Sequence, residues 1–382
     1  MNINIIQRAQ GCLMGQLVGD SLGALVEFKT AKEIASIYPQ GVRDLADGGT
    51  WNTIAGQPTD DSEMALALAR TLVAQQSFDR EAIREAYVGW FRSNTFGCGK
   101  TVTHALRDGR LNPDSQANGA LMRVSPLGIF GARDGIAADE LAFWVDQETT
   151  LTHIHPLCRQ ANILFVEAIA QAVRYGKSPA ELYQAMLQRA RLLDVEPLLL
   201  TTLEDAARKP PEDYVRHQGW VLIALQNAIW QLLHAPDLET GIMDTVMRGG
   251  DTDTNAAIAG ALLGAVYGIE AVPERWQTVI LHCRPSESFP RVVHPRPKCF
   301  WPEDALELAG QLIFTAEYVQ RFRRALEPIA PDKPFCPMVV SDDHDEEELQ
   351  EWVDCGLVEL DECGLYFLGK LGEALMALHK LP

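Results

Sequence analysis

The sequence predicts an all-α fold with a small C-terminal α+β appendage. Three observations carry that prediction. Apolar residues recur at helical spacing through most of the chain. Alternating strand patterns are scarce before residue 330. The pieces between periodic segments carry Gly, Pro, Asn and Asp, as loops do. Residues 61–75 set Met64, Leu68 and Leu72 four apart. Residues 82–92 put Ile83, Tyr87 and Trp90 on one face, and residues 160–174 do the same with Val166, Ile169 and Val173. Trp220 to His234 is apolar on most sides, the pattern of a central buried helix. Thr254 to Tyr267 is rich in Ala and Gly, which let neighbouring backbones approach closely.

Residues 1–330 show no internal composition break and no repeat, so they read as one large helical domain. Residues 331–382 read as a separate appendage. Pro328, Pro331, Pro334 and Pro337 punctuate its approach, and an acidic run follows from Asp342 to Glu348. A short helix carrying Leu349, Trp352 and Val353 comes next. Leu357 to Leu360 and Leu365 to Leu368 flank Asp361 to Gly364 as a hairpin would, and a last helix follows from Lys370 to His379. Helix, hairpin and helix suggest a winged-helix-like unit. From residue 331 onward, 13 acids stand against 3 bases, a net −10, which makes it a poor reader of DNA. A role in packing on the main domain, or in meeting a protein, is the expectation.

The whole chain has 33 Lys and Arg against 52 Asp and Glu, a formal −19 that disfavours nucleic-acid binding. Its eight cysteines are scattered without a C-x-x-C pair, so they read as reduced thiols and not as a zinc site or a disulfide framework. The first twenty residues lack a basic region followed by an apolar core, and no apolar run is long enough to span a bilayer. A cytoplasmic monomer with no membrane partner is expected.

Two acidic strings open predicted helices: PTDDSEMALALA, with Thr59, Asp60 and Asp61, and RGGDTDTNAAIAGALLGA, with Asp251, Asp253 and Thr254. Capping is one reading. Asp60 and Glu63 have capping-box spacing, and Thr59 or Asp251 could also cap. A metal site is the other. One cap needs one side chain, whereas several acids crowd each start and repel one another unless a positive charge sits among them. Gly249 and Gly250 let the backbone turn sharply beside Asp251. All the donors are oxygens, which suits a hard divalent cation. The paired strings favour the metal reading.

These strings, with the blocks GCLMGQLVGDSLGALVEF (Gly11 to Phe28), NGALMRVSPLG (Asn118 to Gly128) and LTHIHP (Leu151 to Pro156), resemble the ADP-ribosylglycohydrolase family in content and order. The resemblance runs from about Gly11 to Trp276. It implies a large orthogonal helical bundle, a centre of two divalent cations (Mg or Mn), and hydrolysis of the bond between ADP-ribose and a modified protein side chain, with ADP-ribose as product. The metal ligands it implies are Thr59, Asp60, Asp61, Asp251, Asp253 and Thr254. Asp60 and Asp61 would also serve in catalysis, and Glu27 would be the acid beside the scissile ribose. Glu27 alone reads as an ordinary surface acid.

The substrate loop implied is Asn118-Gly119-Ala120 with Met122 and Arg123, its backbone amides turned to a diphosphate. Arg123 is open to two readings, a phosphate partner or the partner of a core acid. His153 falls where the family faces the ribose, whereas His155 reads as structural. Gly97 and Gly99 belong to a glycine-bearing loop near the substrate, and Lys100 could attract a phosphate. Gly219-Trp220 departs from a frequent Gly-Tyr, so a tyrosine hydroxyl contact is not carried over. Arginine is the expected linkage. Serine-linked or O-acetylated ADP-ribose, or ADP-ribose binding without turnover, are the alternatives.

Overall fold

A computed structural model describes residues 3–326, 350–353, 355–360 and 366–377. Helices account for nearly all regular structure in them: α1 (Ile3–Gly23), α2 (Ala31–Ile37), α3 (Asp60–Gln75), α4 (Arg80–Arg92), α5 (Lys100–Asp108), α6 (Ser125–Gly131), α7 (Ala138–Thr149) and α8 (Pro156–Tyr175). They continue as α9 (Pro179–Leu192), α10 (Pro197–Ala206), α11 (Val221–His234), α12 (Leu238–Met247), α13 (Thr252–Tyr267), α14 (Glu274–Leu281), α15 (Ala305–Ile313) and α16 (Ala316–Leu326). The fold is all-α, as the periodicity predicts. Pro156, Pro179 and Pro197 each open a helix, where a missing N–H costs nothing. The predicted stripes on α3, α4 and α8 are buried, and α11 and α13 are buried on most sides.

The central pair is α1 against α13, antiparallel and in backbone contact. Gly11, Gly15, Gly19 and Gly23 recur every fourth residue and so share one face of α1. A Cβ added at Gly11, Gly15 or Gly19 would lie 2.4, 2.2 or 2.1 Å from the carbonyl oxygens of Gly264, Gly260 and Ala256. At Gly23 it would lie 2.4 Å from the Asp253 backbone. Thr252 Oγ1 donates to Gly23 O at 2.7 Å. Small residues alone permit this approach, and its outcome is positional: the end of α1 meets the beginning of α13.

The chain leaving α1 stays beside that beginning. Phe28 N donates to Gly250 O at 2.7 Å, and Gly250 N donates to Lys29 O at 2.8 Å. Gly249 and Gly250 both have φ +79, and a Cβ on Gly250 would meet Tyr214 O at 1.9 Å. The sharp turn predicted before Asp251 is therefore made, in a backbone conformation that glycine tolerates.

Toward the C-terminal end, Val358–Leu360 pairs antiparallel with Tyr366–Leu368, and a helix follows over Lys370–Ala377. Leu371 packs where Gly310 of α15 has no side chain, and Trp352 meets Phe322 edge-on at 5.2 Å between centroids. These contacts tie Leu371 to α15 and Trp352 to α16. The described pieces do not establish a winged helix. Pro328 to Pro337, the acidic run Asp342 to Glu348 and the hairpin turn Asp361 to Gly364 lie outside the described residues. Among the described residues, no helix is long and apolar enough to cross a membrane.

Candidate functional site

Neither acidic string caps its own helix from the N-cap position, although Asp253 Oδ1 accepts from Thr254 N at 2.9 Å. Thr59 precedes α3 and Asp251 precedes α13, yet neither side chain makes a capping bond. The predicted capping box of Asp60 and Glu63 does not form. Glu63 instead accepts from Arg296 at 2.7 and 2.9 Å and from Trp90 Nε1 at 2.8 Å, in a buried ion pair. The cap of α3 comes from α1. Asp20, fully buried, accepts from Thr59 N at 3.1 Å, from Ser62 N at 3.1 Å and from Thr59 Oγ1 at 2.8 Å. Satisfied from elsewhere, the helix start leaves Asp60 and Asp61 free to point away from it.

They point into a cavity of about 210 Å³. Glu27, Asp60, Asp61, Asp251, Asp253 and Thr254 line it, together with Gly97, Gly99, Asn118, Gly119, Met122 and His153. Glu27, Asp251 and Asp253 each offer an oxygen, all within 4.8 Å of one another. A wider groove lined by Gln116, Arg216, His217 and Trp220 adjoins the cavity, sharing Ala117 and Gly219 with it.

Three of the sequence-predicted residues are elsewhere. Thr59 lies behind the wall, its hydroxyl 3.0 Å from Asp61 Oδ2. Ala120 is fully buried and packs in the core. Arg123 is the partner of a core acid and not of a cavity ligand. Its guanidinium donates to Glu148 Oε1 at 2.7 Å, Gly119 O at 3.2 Å and Thr152 Oγ1 at 2.9 Å, with both charged side chains fully buried. A guanidinium taken so far from water needs a carboxylate beside it, and Glu148 supplies one. The loop's amides are also less available than predicted: those of Asn118, Met122 and Arg123 donate to Gly219 O, Asn118 O and Ala120 O.

The remaining loop residues are held in place by identifiable bonds. Asn118 Nδ2 donates to Asp251 Oδ2 at 2.7 Å, tying the loop to the second acidic string. Gln16 of α1 donates to Met122 O at 2.8 Å. Gly97 has φ +79, and a Cβ there would lie 2.7 Å from Asp60 Oδ1, so this position admits only glycine. Gly99 has open space around it. His155 accepts from Leu157 N and caps α8, a structural role as predicted.

Glu27 is not a surface acid. It is buried, and Trp51 Nε1 donates to its Oε2 at 2.5 Å. Trp51 packs against Phe96, which stacks on His294 with centroids 4.4 Å apart. Beside Glu27, Phe28 adopts φ +65 and is half exposed at the cavity edge. Asp20 and Trp51 are the positioning residues that the sequence reading missed. An aspartate within an apolar helix is the signal for the first. Nothing in the local pattern around Trp51 marks the second.

The site is electrostatically unbalanced. Among the described residues, none of the five cavity carboxylates forms an ion pair with Lys or Arg. Burial pushes Glu27 up to about 7, and the nearby Asp251 pushes the same way against the Trp51 hydrogen bond. Burial, then neighbouring carboxylates, holds Asp60, Asp61 and Asp253 well above the usual carboxylate range. Asp61 Oδ1 is buried with no hydrogen-bond partner. An all-oxygen donor set with excess negative charge and an unsatisfied carboxylate oxygen fits a hard divalent cation.

The comparisons agree with this geometry. Residues 1–313 match the model of the ADP-ribosylglycohydrolase family. The chain is 31% identical over 284 residues to the ADP-ribosyl-[dinitrogen reductase] glycohydrolase of Rhodospirillum rubrum, covering 72% of this chain and 90% of that one. It is 27% identical over 287 residues to the ADP-ribosylarginine hydrolase Tri1 of Pseudomonas putida (strain GB-1), covering 71% and 73%. A solved structure described as an ADP-ribosylglycohydrolase-related protein complex superposes with a TM-score of 0.64 at 28% identity, covering 81% of this chain and 98% of that chain. With the family model spanning most of its length, the chain belongs to the ADP-ribosylglycohydrolase family.

Proposed function

We propose that this protein is a metal-dependent hydrolase that removes ADP-ribose from modified protein side chains by cleaving the N-glycosidic bond to arginine. One observation carries the reading: five buried carboxylates converge on a single cavity and, among the described residues, none is ion-paired, although Lys100 also lines it. Asp60, Asp61, Asp251, Asp253 and Thr254, with Thr59 behind Asp61, would hold two divalent cations, Mg or Mn. Such ions supply positive charge and Lewis acidity toward a water and the ribose hydroxyls.

The protein's own groups supply position and protons. Water adds to the ribose carbon as the bond to the guanidine nitrogen breaks, and that nitrogen leaves with a proton. Glu27 stands at the cavity with its carboxyl raised to about 7, a range suited to giving and taking protons near neutrality. Asn118 orients Asp251, and Gly97 keeps space clear beside Asp60. The adjoining groove, with Arg216 and Trp220, gives room for the part of the substrate beyond the ribose. Residues 1–330 form the catalytic domain in this reading, with residues 331–382 as an accessory on its surface.

The arginine linkage is supported by the relative whose name specifies ADP-ribosylarginine, and a modified protein as substrate by the one whose name specifies ADP-ribosyl-dinitrogen reductase. The test compares ADP-ribose release from arginine-linked and serine-linked ADP-ribosylated proteins, with chelator and with added Mn or Mg. Release from the arginine-linked substrate, lost in chelator and restored by metal, is expected. Release only from the serine-linked substrate overturns the linkage. ADP-ribose binding without release from either overturns the enzyme.

A further inference from the structure

His153 forms part of the cavity wall with a fully buried imidazole whose Nε2 has no hydrogen-bond partner. Gly119 bears no side chain at the place where a Cβ would come within 3.4 Å of that nitrogen, so its approach stays open. The other ring nitrogen, Nδ1, lies 2.7 Å from Thr152 Oγ1. The same hydroxyl oxygen receives Arg123 Nη2 at 2.9 Å, and Arg123 is fixed by Glu148. Tyr87 OH donates to the same Glu148 Oε1 at 2.7 Å, its ring 4.5 Å from the Arg123 guanidinium.

The directions of these bonds follow from what each group can do. A guanidinium only donates, so Thr152 Oγ1 accepts from Arg123. Among the described contacts His153 Nδ1 is the one other partner of that oxygen, so Nδ1 is assigned as the acceptor of its single hydrogen. Burial, reinforced by the Arg123 charge, brings His153 down to about 3, so the ring is neutral. A neutral imidazole that accepts at Nδ1 carries its proton at Nε2.

We propose that the buried row Glu148, Arg123 and Thr152 is a positioning device that fixes His153 as the Nε2–H tautomer and presents a hydrogen-bond donor to an acceptor oxygen of the ligand. Five carboxylates, which only accept when ionised, share the wall with few donors, among them Lys100 and Thr101. Taking that oxygen to be one of ADP-ribose rests on the function proposed above. Arg123 thus acts on the ligand through two intermediaries without touching it.

The experiment reads the tautomer directly. Long-range ¹H–¹⁵N correlation spectra of the free protein, with His153→Phe to identify the signal, are compared for wild type, Thr152→Val and Thr152→Ser. ADP-ribose affinity is measured on the same proteins with Mn present. Wild type and Thr152→Ser should show protonated Nε2. Thr152→Val should move the proton toward Nδ1 and weaken ADP-ribose binding by roughly threefold to tenfold, the scale of one hydrogen bond. A wild-type proton on Nδ1, or a Thr152→Val protein with unchanged tautomer and affinity, overturns the proposal. Protonated Nε2 in a wild type that binds no ADP-ribose upholds the positioning device and removes the ADP-ribose reading instead.

Discussion

Gly19 and Gly89 both lie inside helices, and replacing each with alanine should have opposite effects. In α4, a Cβ on Gly89 meets nothing within 4 Å. Alanine there restricts the unfolded chain and favours the helix, for a gain of about 0.5–1 kcal/mol. In α1, a Cβ on Gly19 would sit 2.1 Å from Ala256 O, where 3.4 Å is ordinary contact. Helices α1 and α13 must therefore separate locally by about 1.3 Å. Overpacking of this kind costs roughly 1–3 kcal/mol. After the same propensity gain, Gly19→Ala should lose about 0.5–2 kcal/mol. The loss should also reach the site, because one turn further on Gly23 abuts the Asp253 backbone. Urea denaturation of the two variants and wild type gives the stabilities, and ADP-ribose release gives the site effect. A Gly19→Ala protein as stable and active as wild type would refute the argument that these glycines are there for close approach.

Asp251→Asn and Asp61→Asn should each lower ADP-ribose release at least 100-fold and reduce the bound metal measured by mass spectrometry; full activity in either sinks the metal assignment. Asp20→Ala strands the N–H groups of Thr59 and Ser62, so it should cost about 1–3 kcal/mol by denaturation and lower activity as well; Tm unchanged from wild type argues against Asp20 as the cap. Trp51→Phe keeps the aromatic packing on Phe96 but removes the donor to Glu27, and should reduce kcat about tenfold, one charge-assisted hydrogen bond, with little change in KM. Stability should also depend on pH. Asp20 and Glu27 are raised in the fold to about 6 and about 7, so the native state holds more protons than the unfolded chain between about pH 4 and 7. In chelator, stability should fall as pH rises through that window, and Mn should restore it at pH 8. A chelated protein that gains stability from pH 5 to 8 contradicts the sign.

The fold class was legible because its signal is local. Met64, Leu68 and Leu72, or Ile83, Tyr87 and Trp90, report a buried helical face within one helix. What α1 does was less legible. Its glycines at every fourth position are in the sequence, but their meaning depends on α13, some 240 residues away, and on small residues being matched there. The site shows the same division. Acids crowded at two helix starts, with Gly249-Gly250 before the second, are visible as a pattern, and their side chains do share a cavity. Arg123, in the turn before α6, was ambiguous because its partner, Glu148, lies on α7 and looks like any surface acid in sequence. Glu27 was misjudged for a related reason. The residues that bury it, Trp51 and the start of α13, arrive from elsewhere in the chain.

Asp20 explains why capping and ligand binding were hard to separate by sequence. A helix start has unsatisfied N–H groups, and an acid nearby is the ordinary remedy. Had Thr59 or Asp61 bonded those groups, its oxygens would be turned back toward the helix and lost to the cavity. Asp20 makes those bonds from α1 instead, at the expense of burying another carboxylate, which is raised to about 6. That arrangement is unfavourable by itself, since it adds a sixth acid to a cluster with no basic partner among the described residues. It becomes reasonable once a cation binds, because the charge that destabilises the empty cluster then contributes attraction. The same reasoning makes the cluster's metal dependence and its pH-dependent stability two views of one imbalance. Neutralising Asp20 as Asn should therefore stabilise the chelated protein at pH 8 relative to Asp20→Ala, while binding Mn more weakly than wild type. Equal Mn affinity in Asp20→Asn and wild type would show that Asp20 serves the helix start alone.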